Sequence, residues 1–218
     1  YHSLRAVVDG DVNGIYQINK DAFQRQMDNL VNLNKSIIPL SEWSTNQESV
    51  VITFDDGFLD TLQIAAPILA SHKMPFTVFV SPNLIKSKDQ RYLEKATLLE
   101  LSKVDGCTIG AHGDNHCELT KCTNQELINE LRSSKKWLED ELSIAVNTMS
   151  YPHGAVDRRV RDAVDDAGYN IAVSSRYGAN QPVSDPLWLS RTDIWTLDNL
   201  RTFNQKVKGY WDWIRWIN

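Results

Sequence analysis

The chain has 218 residues, 42% of them hydrophobic, and carries 23 Lys and Arg against 28 Asp and Glu, a net charge of -5 with a pI near 5.5. This length and apolar content suffice for one sizeable core, and no Pro/Gly/Ser-rich linker interrupts the sequence, so residues 1–218 are expected to form one domain. The acidic balance and scattered basic residues argue against a nucleic-acid partner, and no apolar run approaches the roughly 18 residues of a membrane-spanning helix.

Residues 1–8 read as a strand, and their sequence resembles neither a signal peptide nor an anchor. Cys107, Cys117 and Cys122 form an odd set without CxxC spacing, which suggests neither a disulfide framework nor a cysteine zinc site. A reducing compartment suits such a set, and a cytoplasmic location is the expectation, with a periplasmic or cell-surface one the alternative if an N-terminal segment has been removed. The stretch "DGDVNG" at 9–14 imitates the start of a calcium loop, but Lys20 stands where its twelfth-position Glu is required, so a surface turn is expected. A helix follows with Phe23, Met27, Leu30 and Val31 on one face.

Further strands are expected at 50–54, 76–81, 107–112, 146–151, 170–175 and 188–195, separated by segments of helical period. The longest helix opens with the capping box Thr123–Glu126 and carries Leu127, Leu131, Leu138 and Leu142 on one face. Another runs from an N-cap at Asp157 through Val160 and Val164 to Gly168. The terminal "GYWDWIRWIN" groups Trp211, Trp213 and Trp216, read as a last helix docking its aromatics on the domain. Seven strands alternating with helices fit an α/β barrel or a doubly wound sheet, with functional residues at the C-terminal strand ends.

Those ends are where the chemistry collects. "VVITFDDG" delivers Asp55 and Asp56 side by side, "CTIGAHGDNH" delivers His112 and His116 four apart, and "VNTMSYPHG" delivers His153. One Asp and two His form a three-ligand O/N set that leaves a coordination position open, as hydrolytic zinc sites require. The second Asp is then free to take a proton. Read locally, the same residues fit an Asp-Asp-Gly turn capping the next helix and a solvated pair of histidines.

"VVITFDDGFLDTLQIAAPILASHKMPFTVFV", "TIGAHGDNHCELTKCTNQELINELRSSKKWLED" and "SYPHGAVDRRVRDAVDDAGYNIAVSS" together resemble the polysaccharide deacetylases of NodB homology, carbohydrate esterase family 4. "FQRQMDNLVNLN" leading to "PLSEW" resembles the poly-N-acetylglucosamine deacetylase branch. The resemblance implies a distorted (β/α) barrel of about seven parallel strands that hydrolyses an N-acetyl, less often O-acetyl, group from an amino-sugar glycan or its precursor. It also implies Asp55 as general base, with Asp56, His112 and His116 as ligands of one divalent ion, usually zinc. An oxyanion-stabilising backbone N–H is expected from the "SYPHG" loop, which carries Tyr151 and His153.

The sequence departs from the family in three places. Ser150 and Tyr151 stand where many members carry an Arg that orients the base, and Arg191 of "WLSRTDIW" is the nearest substitute. His153 stands where an aromatic Tyr is common, so its backbone is the expected contributor. No histidine follows His153, so the usual C-terminal acid is missing. "YHSL" resembles the N-terminal Tyr-His element of the circularly shifted branch, which implies His2 as general acid, with Asp193 as the carboxylate that keeps it protonated. A carbohydrate-binding protein without turnover and an amidase for non-sugar amides are the alternatives.

Overall fold

The protein is described by a computed structural model covering residues 1–44 and 48–216. In chain order it contains α1 (Lys20–Asn32), β1 (Ser36–Ile37), β2 (Ser49–Val50), β3 (Ile52–Phe54), α2 (Ala66–Ser71), β4 (Phe76–Val80), α3 (Pro82–Lys86), α4 (Lys95–Leu101) and β5 (Cys107–Ala111). These are followed by α5 (Asn124–Leu142), β6 (Thr148–Ser150), α6 (Arg158–Asp166), β7 (Ile171–Val173) and α7 (Leu200–Val207). β3 to β7 form a parallel sheet in sequential order, and β1 pairs with β2 apart from it. The sheet curls into a half-barrel.

The strands are short apolar runs because helices cover one surface and the curled sheet encloses the other, which buries both faces. Every residue of β3, β4, β6 and β7 is buried. At Gly110 of β5 a Cβ would lie 2.5 Å from the Phe79 ring and 2.7 Å from Thr148 Oγ1, so only glycine lets the neighbouring strands close on that ring. Capping fixes the helices where expected: Thr123 and Glu126 satisfy each other's backbone N–H groups at α5, and Asp157 accepts from Val160 N at α6. Phe23, Met27 and Leu30 of α1 are buried, but Val31, expected on the same face, is 53% exposed.

Two expected strands are not strands. Residues 1–8 begin beside β3, with Tyr1 N donating to Thr53 O and Asp55 N to Tyr1 O. The Asp60 carboxylate then accepts from Ser3 Oγ, Arg5 N and Ala6 N, withdrawing the donors that a ladder needs and bending the chain away. The segment 188–195 joins the far edge through Leu189, bridged to Val173, and then leaves: Asp198 takes the Trp195 N–H, and Lys206 donates to Asp193 O. A sheet of five strands, with two backbone hydrogen bonds from Tyr1 at the β3 edge and a single bridge from Leu189 at the β7 edge, therefore replaces the expected seven.

At the C-terminus, Trp211 is half-buried against Trp195, 6.2 Å between ring centroids, while Trp213 and Trp216 are 56% and 73% exposed. The expected docking is seen for Trp211, whereas Trp213 and Trp216 keep more than half of their surface exposed. The calcium-like segment is a turn in which Asp11 accepts from Ile15 N and Tyr16 N and Asp9 pairs with Arg91.

Candidate active site

The register brings the ends of β3, β4 and β5 level, with Phe54 opposite Val78 and Ala111 opposite Val80, so the residues after them share one rim. β5 is extended by one further bond, His112 N to Val80 O at 3.0 Å, which sets the His112 ring beside the β3 end. Asp56, one residue past Asp55, has φ of 72°, His116 has 55° and His153 has 57°. Left-handed backbone is uncommon outside glycine, and Asp and His are among the residues that tolerate it best. Its recurrence at three residues of one rim marks a place where side-chain aim overrides backbone preference.

Asp56 Oδ1 lies 3.3 Å from His112 Nε2 and 3.1 Å from His116 Nε2, and the three ligand atoms fall within 4.8 Å of one another. His112 Nδ1 donates to Ser150 O at 2.8 Å, which orients the ring so that Nε2 faces Asp56. Asp56 Oδ1 is buried and has no oriented hydrogen bond. An orphaned buried carboxylate oxygen facing two imidazole nitrogens is costly alone and satisfied by a cation, so the donor set fits a divalent ion of the zinc type. Burial disfavours ionisation of Asp56, but His112 and His116 outweigh it and hold its pKa well below the usual carboxylate range.

Asp55 turns the other way. Arg191 Nη1 donates to its Oδ1 at 2.8 Å and Nη2 to its Oδ2 at 2.7 Å, a bidentate pair. Ser150 Oγ donates to Oδ2 at 3.1 Å, and the guanidinium is fixed further by Ser174 O, Thr53 Oγ1 and Ser150 Oγ. Burial pushes the Asp55 carboxyl up, and Arg191 more than reverses this, leaving it ionised far below its ordinary pKa. Both carboxylates are thus engaged away from the following helix, and neither caps it.

The remaining expected residues divide. His2 packs its ring on Tyr16 at 4.6 Å and, with Asp55, Arg191 and Asp193, lines a cavity of about 860 Å³. Burial lowers its pKa; Asp56, Asp55 and, more weakly, Asp193 oppose this. No ion pair joins His2 to Asp193 among the described residues, so the two acidic residues at the rim, rather than Asp193 as expected, are its main electrostatic partners. Tyr151 is fully buried, its hydroxyl donating to Leu187 O at 2.6 Å and its N–H to Val173 O at 3.0 Å. It therefore offers neither ring nor N–H to a ligand, contrary to expectation. Gly154 N and Ala155 N are also committed, to Tyr151 O and Pro152 O, and Pro152 has no N–H. This leaves the His153 N–H as the loop's donor, while the exposed His153 ring lies tilted against His116, 4.6 Å between centroids.

Two contributors escaped the sequence reading. Buried Glu130 of α5 accepts from Asp114 N at 2.8 Å and Asn115 N at 2.9 Å, pinning the turn that presents His116. Its signal was a charge inside the Leu127–Leu131 apolar stripe. Ser150, noted as a missing Arg, serves both halves of the site: its carbonyl orients His112 and its hydroxyl steadies Asp55.

A half-barrel whose rim joins an Asp-His-His ligand set to an arginine-held carboxylate defines a hydrolase-type centre. The family model for polysaccharide deacetylase matches residues 43–172. The chain belongs to the polysaccharide deacetylase family. It is 29% identical over 144 residues, 66% of its length, to YxkH of Bacillus subtilis, a protein assigned to the polysaccharide deacetylases, and spans half of that protein. It is 23% identical over 194 residues, 81% of its length, to the poly-beta-1,6-N-acetyl-D-glucosamine N-deacetylase of Staphylococcus aureus, covering 67% of that enzyme. Among solved structures, the Streptococcus pyogenes deacetylase PplD in complex with acetate superposes with a TM-score of 0.84 at 22% identity, covering 95% of both chains.

Proposed function

We propose that the chain is a metal-dependent deacetylase that removes N-acetyl groups from an amino-sugar glycan or its precursor. The observation that carries this reading is the division of labour between adjacent carboxylates: Asp56 Oδ1 is aimed at two imidazole nitrogens, and Asp55 is held by a bidentate arginine. Family membership and the similarity to a glycan N-deacetylase support the choice of substrate class.

Asp56, His112 and His116 would hold the ion, zinc being the choice most consistent with one carboxylate and two imidazoles. When bound, a divalent cation supplies Lewis acidity toward a carbonyl oxygen and toward water. Asp55 accepts the proton of the attacking water; Arg191 and Ser150 fix the direction of its lone pairs. The low pKa of Asp55 keeps it ionised, and so able to accept a proton, throughout the neutral range. The His153 N–H donates to the oxygen that gains charge as the carbonyl becomes tetrahedral. His2 delivers a proton to the departing amine; burial lowers its pKa, and the negative field of Asp56 and Asp55 offsets part of that loss.

The reading is tested by acetate release from N-acetylated oligosaccharides, compared with release from O-acetylated sugars and simple amides. Acetate from N-acetylated oligosaccharides well above the other two is the expected result. Equal release from simple amides points to a general amidase, and oligosaccharide binding without acetate points to a binding protein; either outcome overturns the proposal.

A further inference from the structure

The spacing of the three cysteines suggests no disulfide framework, yet two of them meet in the fold. A single turn at Leu119–Lys121 brings Cys117 Sγ to 3.4 Å from Cys122 Sγ, with both residues partly exposed and both thiols free. A bonded pair requires about 2.05 Å, so the sulfurs must approach by about 1.3 Å, within reach of small side-chain rotations. The third cysteine, Cys107, stands apart at the start of β5.

The position of the pair matters more than its distance. Cys117 directly follows His116, whose Nε2 faces Asp56, and Cys122 directly precedes Thr123, the N-cap of α5. α5 already holds this turn by one route, from Glu130 to the backbone of Asp114 and Asn115. Beyond His116 the loop is fastened by hydrogen bonds, from Arg159 to Leu119 O, Thr120 O and Asn124 Oδ1 and from the Cys117 thiol to Glu130, and not by a covalent tie. A covalent link between Cys117 and Cys122 would supply one on the other side of the histidine.

The geometry points to Cys117 and Cys122 as a reversible dithiol–disulfide site, oxidised by a small disulfide of the glutathione class, that fastens the His116 turn to the N-terminus of α5. The part concerning His116 rests on its reading as a metal ligand. Cys122, as thiolate, attacks the small disulfide; a mixed disulfide forms on Cys122, and one small thiol leaves with the proton. The second cysteine attacks the mixed disulfide at the protein sulfur, forming the Cys117–Cys122 bond and releasing the second small thiol. Two protein thiols are oxidised and one small disulfide is reduced to two thiols, so electrons and protons balance.

The test is to incubate the folded protein with glutathione disulfide, remove it, and count thiols after denaturation. Three thiols should fall to one and return to three with dithiothreitol. Trypsin cleaves after Lys121, between the two cysteines, so the oxidised protein should yield peptide 104–121 linked to peptide 122–132. Because Cys107 shares the first peptide, Cys107→Ser should give the same linked pair. In that variant, zinc release to a chromogenic chelator should be slowed several-fold by oxidation, a difference that disappears when Cys117 and Cys122 are also Ser. Three persisting thiols, separate glutathione adducts, a link through Cys107, or equal zinc release from the oxidised and reduced forms would overturn the inference. The link is read by mass whether or not acetate is ever released, so its failure is distinct from failure of the deacetylase reading.

Discussion

Replacing Arg191 with Ala removes one partner of an ion pair whose side chains are 14% and 5% exposed and whose two N–H···O contacts are 2.8 and 2.7 Å. Such a pair cannot be treated as a surface salt bridge: the variant leaves a buried carboxylate with Ser150 and, at 4.0 Å, His112 as its side-chain neighbours. Breaking a buried pair from one side costs about 3–5 kcal/mol, against about 0–1 kcal/mol for an exposed one. At about 2–4 °C per kcal/mol for a chain of this size, melting should fall by about 6–20 °C at pH 7. The pH dependence has a definite sign. The folded pKa of Asp55 lies below its unfolded value near 4, so its contribution is complete above about pH 4 and fades as pH falls through the folded pKa. Melting curves of wild type and Arg191→Ala should therefore converge under acid. Arg191→Lys keeps the charge but not the fork and should recover part of the loss, and the double variant Asp55→Asn/Arg191→Met should be more stable than Arg191→Ala. A loss of under about 2 °C at pH 7, or a gap that persists unchanged to pH 3, would refute the claim that this pair is a buried, ionised unit.

Asp55→Asn should keep one equivalent of zinc, read by elemental analysis, while acetate release falls by about 100-fold or more, since the amide cannot accept the proton. His2→Ala should leave zinc content unchanged and slow hydrolysis of N-acetyl sugars far more than that of activated acetyl esters, which need no protonated leaving group; equal slowing would remove His2 from the acid role. Glu130→Ala should weaken zinc binding by about 10-fold to 100-fold through the loosened His116 turn, with Glu130→Gln intermediate, as judged by competition with a chelator.

The positions of Asp55, Asp56, His112 and His116 at strand ends were legible in the sequence because each is local: an apolar run buried on both faces ends in a turn, and the polar residue is the next one along; the roles proposed for them came from the family resemblance. Arg191 was suggested by the family resemblance, as the nearest substitute for an arginine whose place Ser150 holds, and the structure pairs it with Asp55. What stayed hidden depends on contacts between distant segments. Tyr151 reads as a site residue from its loop, but its N–H and hydroxyl are spent on Val173 and Leu187, more than 20 residues away in sequence. Residues 1–8 have strand composition, yet Asp60 captures their donors. Asp193 sits on the segment expected beside His2, but that segment leaves the sheet after Leu189 and forms no ion pair with the imidazole among the described residues. Glu130 and the Cys117–Cys122 contact depend on how one turn folds back onto α5, which pattern and spacing leave open.

The most direct test of the central claim is a zinc titration of chelator-stripped protein, with acetate release from N-acetylglucosamine oligomers followed at each addition. The account predicts no release from the stripped protein, activity that rises to a plateau at one equivalent, and neither tight binding nor activity in the His112→Ala/His116→Ala variant. Acetate release by the stripped protein, or a full equivalent of tightly bound zinc in the double variant, would contradict it.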